Sequence, residues 1–436
     1  MILIYSIQMS PRLKYTADVI FKRVLKLKIP VMFTQEMEEF LQFDGKKINY
    51  SLYPVKDSIH IPCSGFLFQT GVKPVFPGIC HGAFGKALFP VDGSNDFTYD
   101  LFAAVFYMVS RYEEYLPFER DKHGRFQPEH SLAFKNNFLD KPVVHYWVEE
   151  LKDRLMLRYP SFSFPKKKFR FISTIDVDNG YAFKGKNVLK MMGAAIRDIF
   201  KGDIGLATQR IQVVLGLQKD PYDQYTLHKK IKTKYKIPVR YFILSGQPSS
   251  YDHNLPPHNN AFKDLVKRIR KFSKIGIHPS YFSNQSISII ESEIKTLEKI
   301  YGKKITESRQ HFIRLDFPQT YRQLIKSGIR CDYSMGFPTM PGFRAGIAEP
   351  YLFYDLTDEK IKRLFIRPFQ IIDTSYIDYL KLNPQDALKH MKRIADEVKM
   401  VNGMLITIFH DRTFSQTPKP NRWRSVYQKF IKSILG

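Results

Sequence analysis

The chain has 436 residues, of which 44% are hydrophobic and 25% are charged, which excludes a disordered or collagen-like chain. This length suggests two or three domains. Three cysteines (Cys63, Cys80 and Cys331) are too few for a disulfide framework and lack metal-type spacing, so we expect a reducing compartment. No apolar run reaches about 18 residues and the apolar start is too short for a secretory signal, so the sequence predicts a cytoplasmic protein.

The charge is distributed unevenly along the chain. Residues 1–160 hold 20 basic and 18 acidic side chains, whereas residues 161–436 hold 48 and 24, and the whole chain has a net charge of +26. A field of this size attracts phosphates, uronic acids or an anionic membrane surface, although a basic surface can also serve solubility alone. A specific nucleic-acid partner is not expected, because the basic residues are scattered and no recognition module is present.

The pattern of residues 1–160 predicts a mixed α/β domain. Its clearest helix spans Phe97–Leu116 with Asp96 as cap, because apolar residues recur there at i, i+3 and i+4 spacing. Prolines and basic residues at 159–170 predict an inter-domain connection. The other elements expected here are a strand at Ile2–Ser6, a helix opened by Pro11 and a helix from Pro142 to about Met156.

Short apolar runs alternate with helical patterns over residues 165–436, which predicts a second domain built on a parallel sheet or barrel. Strands are expected at Phe169–Ile175, Val239–Leu244, Ile275–Ile277, His311–Leu315, Leu364–Ile372 and Met404–Phe409. Helices are expected at Asn187–Lys201, Phe262–Phe272, Ser288–Tyr301, Pro318–Lys326 and Pro384–Val401, and from about Asp223 and Arg422.

Ionisable residues stand at the ends of several predicted strands. Asp176 and Asp178 follow the first of these strands, and His278 follows the third. His410 follows the last strand, and His311 lies at the edge of another apolar run. The carboxyl ends of strands face the active site in α/β barrels, so we expect these residues to converge.

The two aspartates have two interpretations. Asp176 and Asp178 share a face where the chain leaves the strand, and two such carboxylates repel each other unless a cation or a proton lies between them. One can bind a metal while the other takes a proton from water. Alternatively, the pair caps the next turn through backbone N–H groups.

The histidines and one arginine also have two interpretations each. Imidazoles suit zinc, and an aspartate with His278 and His311 leaves a position for water, whereas a lone histidine at a strand end is more often structural. His410 is a candidate general acid, oriented by Asp411 or another carboxylate, or a buried histidine. Arg344 stands between glycines that allow close backbone approach, or in a surface turn.

Four motifs occur in order: TIDVD at 174–178, GIHPS at 276–280, GFRAG at 342–346 and IFHD at 408–411. Together they resemble the motifs of the NodB-like polysaccharide deacetylases, carbohydrate esterase family 4. The stretches IDVDNGYAFKGK, SRQHF and DYSMGFPTMPGFRAG are similar to a subgroup found in bacterial surface-polysaccharide gene clusters. In that subgroup an N-terminal domain of unassigned role precedes the deacetylase domain, and DLFAAVFYMVSRYEEYLPFERDKHGRF resembles that domain. The resemblance covers nearly the whole chain.

The resemblance implies a deformed (β/α) barrel, usually seven-stranded, that hydrolyses N-acetyl groups on sugars with a divalent metal, for which we expect Zn²⁺. By motif match, Asp178 and His278 would be metal ligands and Asp176 the general base. Arg344 would orient that base, and His410 would protonate the leaving amine. The expected partner is an N-acetylated sugar or glycan, and the basic half suits a nucleotide-linked or lipid-diphosphate-linked form near the inner membrane face.

Two positions depart from the family pattern. Val177 separates the two aspartates, which are usually adjacent, and Phe282 stands where a second metal-binding histidine is usual, four residues after His278. We expect His311 to supply the missing imidazole, because of its residue type and strand-end position. The alternative function is a catalytically inactive glycan-binding or scaffold protein that retains the barrel.

Aromatic residues are abundant, with 25 tyrosines and 36 phenylalanines. Most are expected in the core, although rings can also stack on sugar faces. Tyr281 and Tyr333 lie near motif residues and are therefore the candidates for substrate contacts.

Overall fold

The structure of the protein is a computed structural model that describes residues 1–92, 96–417 and 422–436. It is a mixed α/β fold with a four-stranded, a nine-stranded and a two-stranded sheet. The strands are β1 Ile2–Ser6, β2 Val31–Thr34, β3 Lys46–Ser51, β4 Ile59–Pro62, β5 Ile79–Gly82, β6 Gly85–Leu88, β7 Arg170–Val177, β8 Val239–Leu244, β9 Lys274–His278, β10 Glu307–Ser308, β11 Cys331–Asp332, β12 Tyr351–Asp355, β13 Lys360–Ile366, β14 Ile371–Ile372 and β15 Met404–His410. The α-helices are α1 Pro11–Ala17, α2 Met37–Gln42, α3 Leu101–Ser110, α4 Leu132–Lys135, α5 Val143–Arg158, α6 Val188–Phe200, α7 Ile204–Val214, α8 Tyr225–Tyr235, α9 Asn260–Ile269, α10 Ile287–Tyr301, α11 Gln319–Lys326, α12 Pro384–Met400 and α13 Trp423–Leu435.

Helix α3 lies at the centre of the N-terminal part, and all of its residues are buried. The predicted helix over 97–116 is too long at both ends. Asp100, not Asp96, caps it, because the Asp100 carboxylate accepts a hydrogen bond from the backbone nitrogen of the third helical residue at 2.9 Å. Asp96 accepts one from the backbone of His60. The helix ends where Arg111 adopts a left-handed φ of 55°.

The nine-stranded sheet of the C-terminal part has the order β12-β13-β11-β10-β9-β8-β7-β15-β14. Every neighbouring pair is parallel except β12 with β13. Strand β8 has its predicted bounds, and helix α6, predicted over Asn187–Lys201, spans Val188–Phe200 with Asn187 as its N-terminal cap. Within the described residues this nine-stranded sheet has two edge strands, β12 and β14. The seven-stranded barrel and the division into two domains stay predictions.

Two predicted strands are wrong. The segment His311–Leu315 is not a strand, because Phe312 and Ile313 adopt left-handed φ values of 56° and 55°, and His311 instead opens a 3-10 turn after β10. The predicted strand 364–372 is interrupted between β13 and β14, where Pro368 has no N–H to offer the ladder.

The sheet brings the carboxyl ends of β7, β9, β10, β14 and β15 to one edge. Asp176 and His410 are register partners on adjacent strands. His278 ends β9 opposite Leu244, and Ser308 of β10 lies opposite Ile277. Polar residues that directly follow these strands therefore gather at this edge.

The N-terminal part packs closely on the chain between β11 and β12. The backbone nitrogen of Val144 donates to the carbonyl of Gly346 at 3.0 Å, and the nitrogen of Ala348 donates to Nε2 of His145 at 3.0 Å. Gly342 approaches Leu139 so closely that an added Cβ would lie 2.6 Å from its carbonyl oxygen. One hydrophobic core cluster contains residues of both parts.

The helices of this fold are short. Among the residues that the structure describes, no helix combines the length and the apolar character needed to cross a lipid bilayer.

His145 makes this packing sensitive to acid. Burial, reinforced by the charge of Lys167, holds the pKa of His145 well below its usual value. The ring is therefore neutral, and its unprotonated Nε2 accepts the hydrogen bond from Ala348. Below pH ~6.5 the unfolded chain binds a proton there that the folded chain does not, so stability falls as the pH falls. From pH 7.5 to 5.5 this histidine should remove about 1.4 kcal/mol of the free energy of unfolding.

We expect His145→Gln, which keeps an acceptor but cannot titrate, to lose less stability than the native protein over that interval. Urea unfolding at both pH values measures the difference, and His81→Gln, at an exposed histidine, is the matched control. Equal losses in the native protein and in His145→Gln would contradict this account.

Candidate metal centre and active site

Asp178, His278 and His311 form a buried cluster at the carboxyl edge of the sheet. One potential ligand atom from each lies within 4.8 Å of the other two. His278 Nε2 is 3.3 Å from Asp178 Oδ1, and His311 Nε2 is 4.0 Å from Asp178 Oδ2. The structure thus brings together the three residues that the sequence analysis grouped as metal ligands.

The outer hydrogen bonds of the two imidazoles determine which ring nitrogen faces Asp178. His278 Nδ1 donates to the carbonyl oxygen of Arg309 at 2.6 Å, and His311 Nδ1 donates to the Asp252 carboxylate at 2.9 Å. Both acceptors lack protons, so each Nδ1 carries the hydrogen and each Nε2 of a neutral ring carries a lone pair. Such outer partners fix ligand tautomers in metal sites.

The cluster is electrostatically incomplete by itself. Asp178 Oδ1 and His278 Nε2 are buried and neither makes a hydrogen bond within the described residues. A lone pair facing a carboxylate oxygen in a buried site is unfavourable unless a cation or a proton lies between them. Burial lowers the pKa of His311, which favours the neutral ring that metal binding requires. At His278 burial also disfavours the charged ring, but the carboxylates of Asp176 and Asp178 outweigh it and raise the pKa, so a metal ion bound there would displace a proton. A carboxylate with two imidazoles fits zinc with an open position.

Asp176 lies next to the cluster and is also buried. Its Oδ2 is 3.9 Å from His278 Nε2 and 3.6 Å from Arg309 Nη1, while its Oδ1 has no hydrogen-bond partner in the described chain. Arg309 is held in place by Thr174, whose hydroxyl accepts from it at 3.0 Å, and by the ring of Phe242. Asp176 therefore presents a free oxygen beside the candidate metal ligands.

His410 approaches Asp178 from the neighbouring strand, with Nε2 3.8 Å from Oδ2. Its Nδ1 donates to Asp373 at 2.6 Å. Burial disfavours the imidazolium, but the negative charges of Asp373 and Asp178 outweigh it and raise the pKa of His410 to about 9. Asp411, the first candidate for orienting this histidine, instead accepts hydrogen bonds from the backbone after Asp178.

Asp373 was missed in the sequence analysis. It directly follows β14, so the strand-end argument that selected the other site residues applies to it as well. The strand predicted over 364–372 ends at the same residue as β14, so the sequence already held the signal for Asp373. The carboxylate also accepts a hydrogen bond from Thr413, which leaves it fully engaged beside His410.

The expectation that Arg344 orients Asp176 is wrong. The Arg344 guanidinium donates to Glu114 at 2.8 Å and to the carbonyl of Gly336 at 2.9 Å. Glu114 is fully buried and needs positive partners, which Arg344 and Arg111 provide. The arginine that approaches Asp176 is Arg309, from the SRQHF stretch.

The two tyrosines expected to contact substrate do not line the cleft. Tyr333 is fully buried against Phe242. Tyr281 is buried beneath Tyr251, with ring centroids 3.9 Å apart, and its hydroxyl bonds to His123 Nδ1 at 3.1 Å. Tyr251, which is 39% exposed, is the ring on the cleft wall.

A cleft of about 280 Å³ opens over the cluster, and the N-terminal part supplies one wall residue, Arg125. Arg125 donates to the carbonyl of Phe312 at 2.9 Å and to the hydroxyl of Tyr379 at 3.4 Å. It is paired with Asp121 at 2.7 Å. Since Phe312 follows His311 directly, Arg125 supports the turn that carries one candidate ligand.

Comparisons with known proteins found one family model and several solved structures that are similar to this chain. The family described as a family of unknown function, DUF7033, matches residues 2–160. A Mycobacterium smegmatis protein described as a polysaccharide deacetylase has a TM-score of 0.40 at 14% identity, covering 63% of this chain and 87% of that one. A Pseudomonas aeruginosa protein described in the same way has a TM-score of 0.35 at 14% identity, with 60% and 84% covered. The Bacillus cereus polysaccharide deacetylase Bc1974 has a TM-score of 0.28 at 12% identity, with 62% and 88% covered. The comparison with curated proteins found no match.

The cluster should bind one zinc ion per chain. We expect Asp178→Ala and His311→Ala each to lower zinc affinity by about 100-fold or more, because each removes a ligand rather than an outer partner. Zinc content after dialysis and calorimetric titration measure this. His253→Ala, at an exposed histidine on the wall of the same cleft, should retain native binding, and native binding in His311→Ala would remove it from the ligand set.

Arg125 should affect the same affinity through the turn at His311. Arg125→Met removes both contacts to the C-terminal part, so we expect zinc affinity to fall about 10-fold. Arg120→Met is the control, because Arg120 is half exposed and its ion pair with Asp316 lies outside the residues that line the cleft. Unchanged zinc affinity in Arg125→Met would show that the turn holds without it.

Proposed function

We propose that this protein is a metal-dependent hydrolase that removes an N-acetyl group from a sugar in bacterial surface-polysaccharide metabolism. The observation that carries the proposal is the set of Asp178, His278 and His311, with Asp176 and His410 beside it, at the base of one cleft. The ordered motifs that resemble NodB-like deacetylases support the same reaction class. His311 takes the place of the histidine that Phe282 replaces.

Asp178, His278 and His311 would hold a divalent cation at the base of the cleft. Such a cation would polarise the amide carbonyl and lower the pKa of water. Asp176 then acts as the general base, since its free Oδ1 can take the proton of the attacking water. The guanidinium of Arg309 lies 3.6 Å from Asp176 Oδ2 and places a positive charge beside that carboxylate.

His410 acts as the general acid for the leaving amine. Asp373 fixes its Nδ1–H, which directs Nε2 toward Asp178 and the cleft. The ion pair keeps the imidazole protonated at neutral pH, and an amine leaves only after it has gained a proton. The acid and the base thus stand on adjacent strands, in register with each other.

The substrate class follows from the cleft and the charge. An N-acetylated sugar or glycan fits a cleft with the half-exposed ring of Tyr251 on its wall. The net charge of +26 favours a nucleotide-linked or lipid-diphosphate-linked form of that sugar. We place the reaction in the cytoplasm on the sequence argument from cysteine content.

The test is acetate release from nucleotide-linked and lipid-linked N-acetylhexosamines by the zinc-loaded protein. Asp176→Asn and His410→Gln should each lower kcat by about 10²–10⁴-fold while zinc stays bound, because each removes one proton transfer. Asp264→Asn, at an exposed carboxylate, controls for charge. Stoichiometric zinc with no acetate from any donor would point to another hydrolase. Glycan binding that survives Asp178→Ala, again without acetate, would favour the inactive binding protein.

A further inference from the structure

Helices α6 and α7 pack against each other as a hairpin between β7 and β8. Several of its large apolar side chains face solvent, among them Leu189 (78% exposed), Phe200 (87%) and Leu215 (66%). Between the helices runs a groove of about 270 Å³ with an almost wholly apolar lining. Contiguous exposed apolar surface of this kind marks an interaction site.

The exposed charges of the hairpin are all basic. Over residues 184–217 the exposed ionisable side chains are Lys184, Lys190, Arg197 and Lys201. The two acidic residues of that stretch are less available, since Asp198 is buried against Arg210 at 2.6 Å and Asp203 is only partly exposed and engaged. An apolar face with a basic rim is complementary to the surface of an anionic bilayer.

The hairpin is tied to the metal-centre edge of the sheet. The chain runs from Asp178 into α6 through nine residues, and the start of that link is held by Asp411, which accepts from the backbone of Asn179 and Gly180. Asp220, just beyond α7, accepts from the backbone of Phe183 at 2.8 Å. Asp411 therefore anchors the start of the link at the metal-centre edge, and Asp220 ties the chain before α6 to the chain after α7.

We propose that the α6–α7 hairpin is the surface by which this protein docks on an anionic lipid bilayer, with its apolar side chains at the boundary of the acyl chains and its basic rim among the headgroups. Docking here brings the cleft close to a lipid-borne substrate, which extends the proposed function. The docking itself does not depend on that function, because it needs neither zinc nor acetate release.

The test is sedimentation of the full chain with vesicles of phosphatidylcholine alone or with about 30% phosphatidylglycerol. The native protein should partition preferentially to the anionic vesicles, with a steep loss at high salt. The triple variant Leu189→Ser, Phe200→Ser and Leu215→Ser should lower this partition coefficient by about tenfold or more. Lys190→Gln with Lys201→Gln should lower it several-fold on anionic vesicles and leave the weak binding to neutral ones unchanged.

The matched control is Tyr53→Ser with Phe76→Ser and Leu157→Ser, three similarly exposed apolar residues of the N-terminal part. It should bind like the native protein. No binding to anionic vesicles, or equal losses in both triple variants, would overturn the proposal. The proposal would also be overturned if the native protein were a dimer that did not bind vesicles and only the hairpin triple variant were a monomer. That result would assign the face to a second copy of the chain. Because the readout is partition and not activity, failure here and failure of the deacetylase proposal are distinguishable.

Discussion

The site depends on the opposition of one buried carboxylate and two imidazole lone pairs. Asp178 faces His278 Nε2 at 3.3 Å, and neither atom involved makes a hydrogen bond in the described chain. Rotation of either ring would break a hydrogen bond, because the Nδ1 atoms donate to the Arg309 carbonyl and to Asp252. A protein that keeps this arrangement keeps a place for a positive charge, and the surrounding strands serve to hold it.

The N-terminal part is integral to that site. Glu114 is buried between Arg111 and Arg344, whose charges outweigh the burial and lower its pKa. Breaking such a cluster leaves an uncompensated buried charge, which costs about 3–5 kcal/mol, so the two parts are strongly coupled. Through Arg125 the same part reaches the turn that carries His311. The GFRAG motif therefore links the two parts in this chain through Arg344. The arginine that lies beside Asp176 is Arg309.

The sequence predicted the site better than the details that support it. Residues that directly follow apolar strands, such as His278 and His410, converge because parallel strands share one carboxyl edge. The function of Arg344 was not predictable, because its partner Glu114 lies 230 positions away in the chain and no local pattern connects them. The prediction that Tyr333 contacts substrate was wrong for a related reason, since proximity to a motif in sequence does not distinguish a buried ring from one on the cleft wall. Asp373 was accessible to the same strand-end rule, because the strand predicted over 364–372 ends directly before it.

The positive charge of the chain shows what composition can predict about binding partners. The net charge of the C-terminal half identifies a class of partner but no place on the molecule, because its basic side chains are distributed over helices, strands and loops. The α6–α7 hairpin adds a second, independent property, since exposed leucine and phenylalanine side chains are unfavourable in water unless something covers them. Charge and exposed apolar surface coincide on this hairpin, which is inserted directly after the strand that carries Asp176. A bilayer surface satisfies both properties at once, because its acyl chains cover apolar side chains and its anionic headgroups attract basic ones.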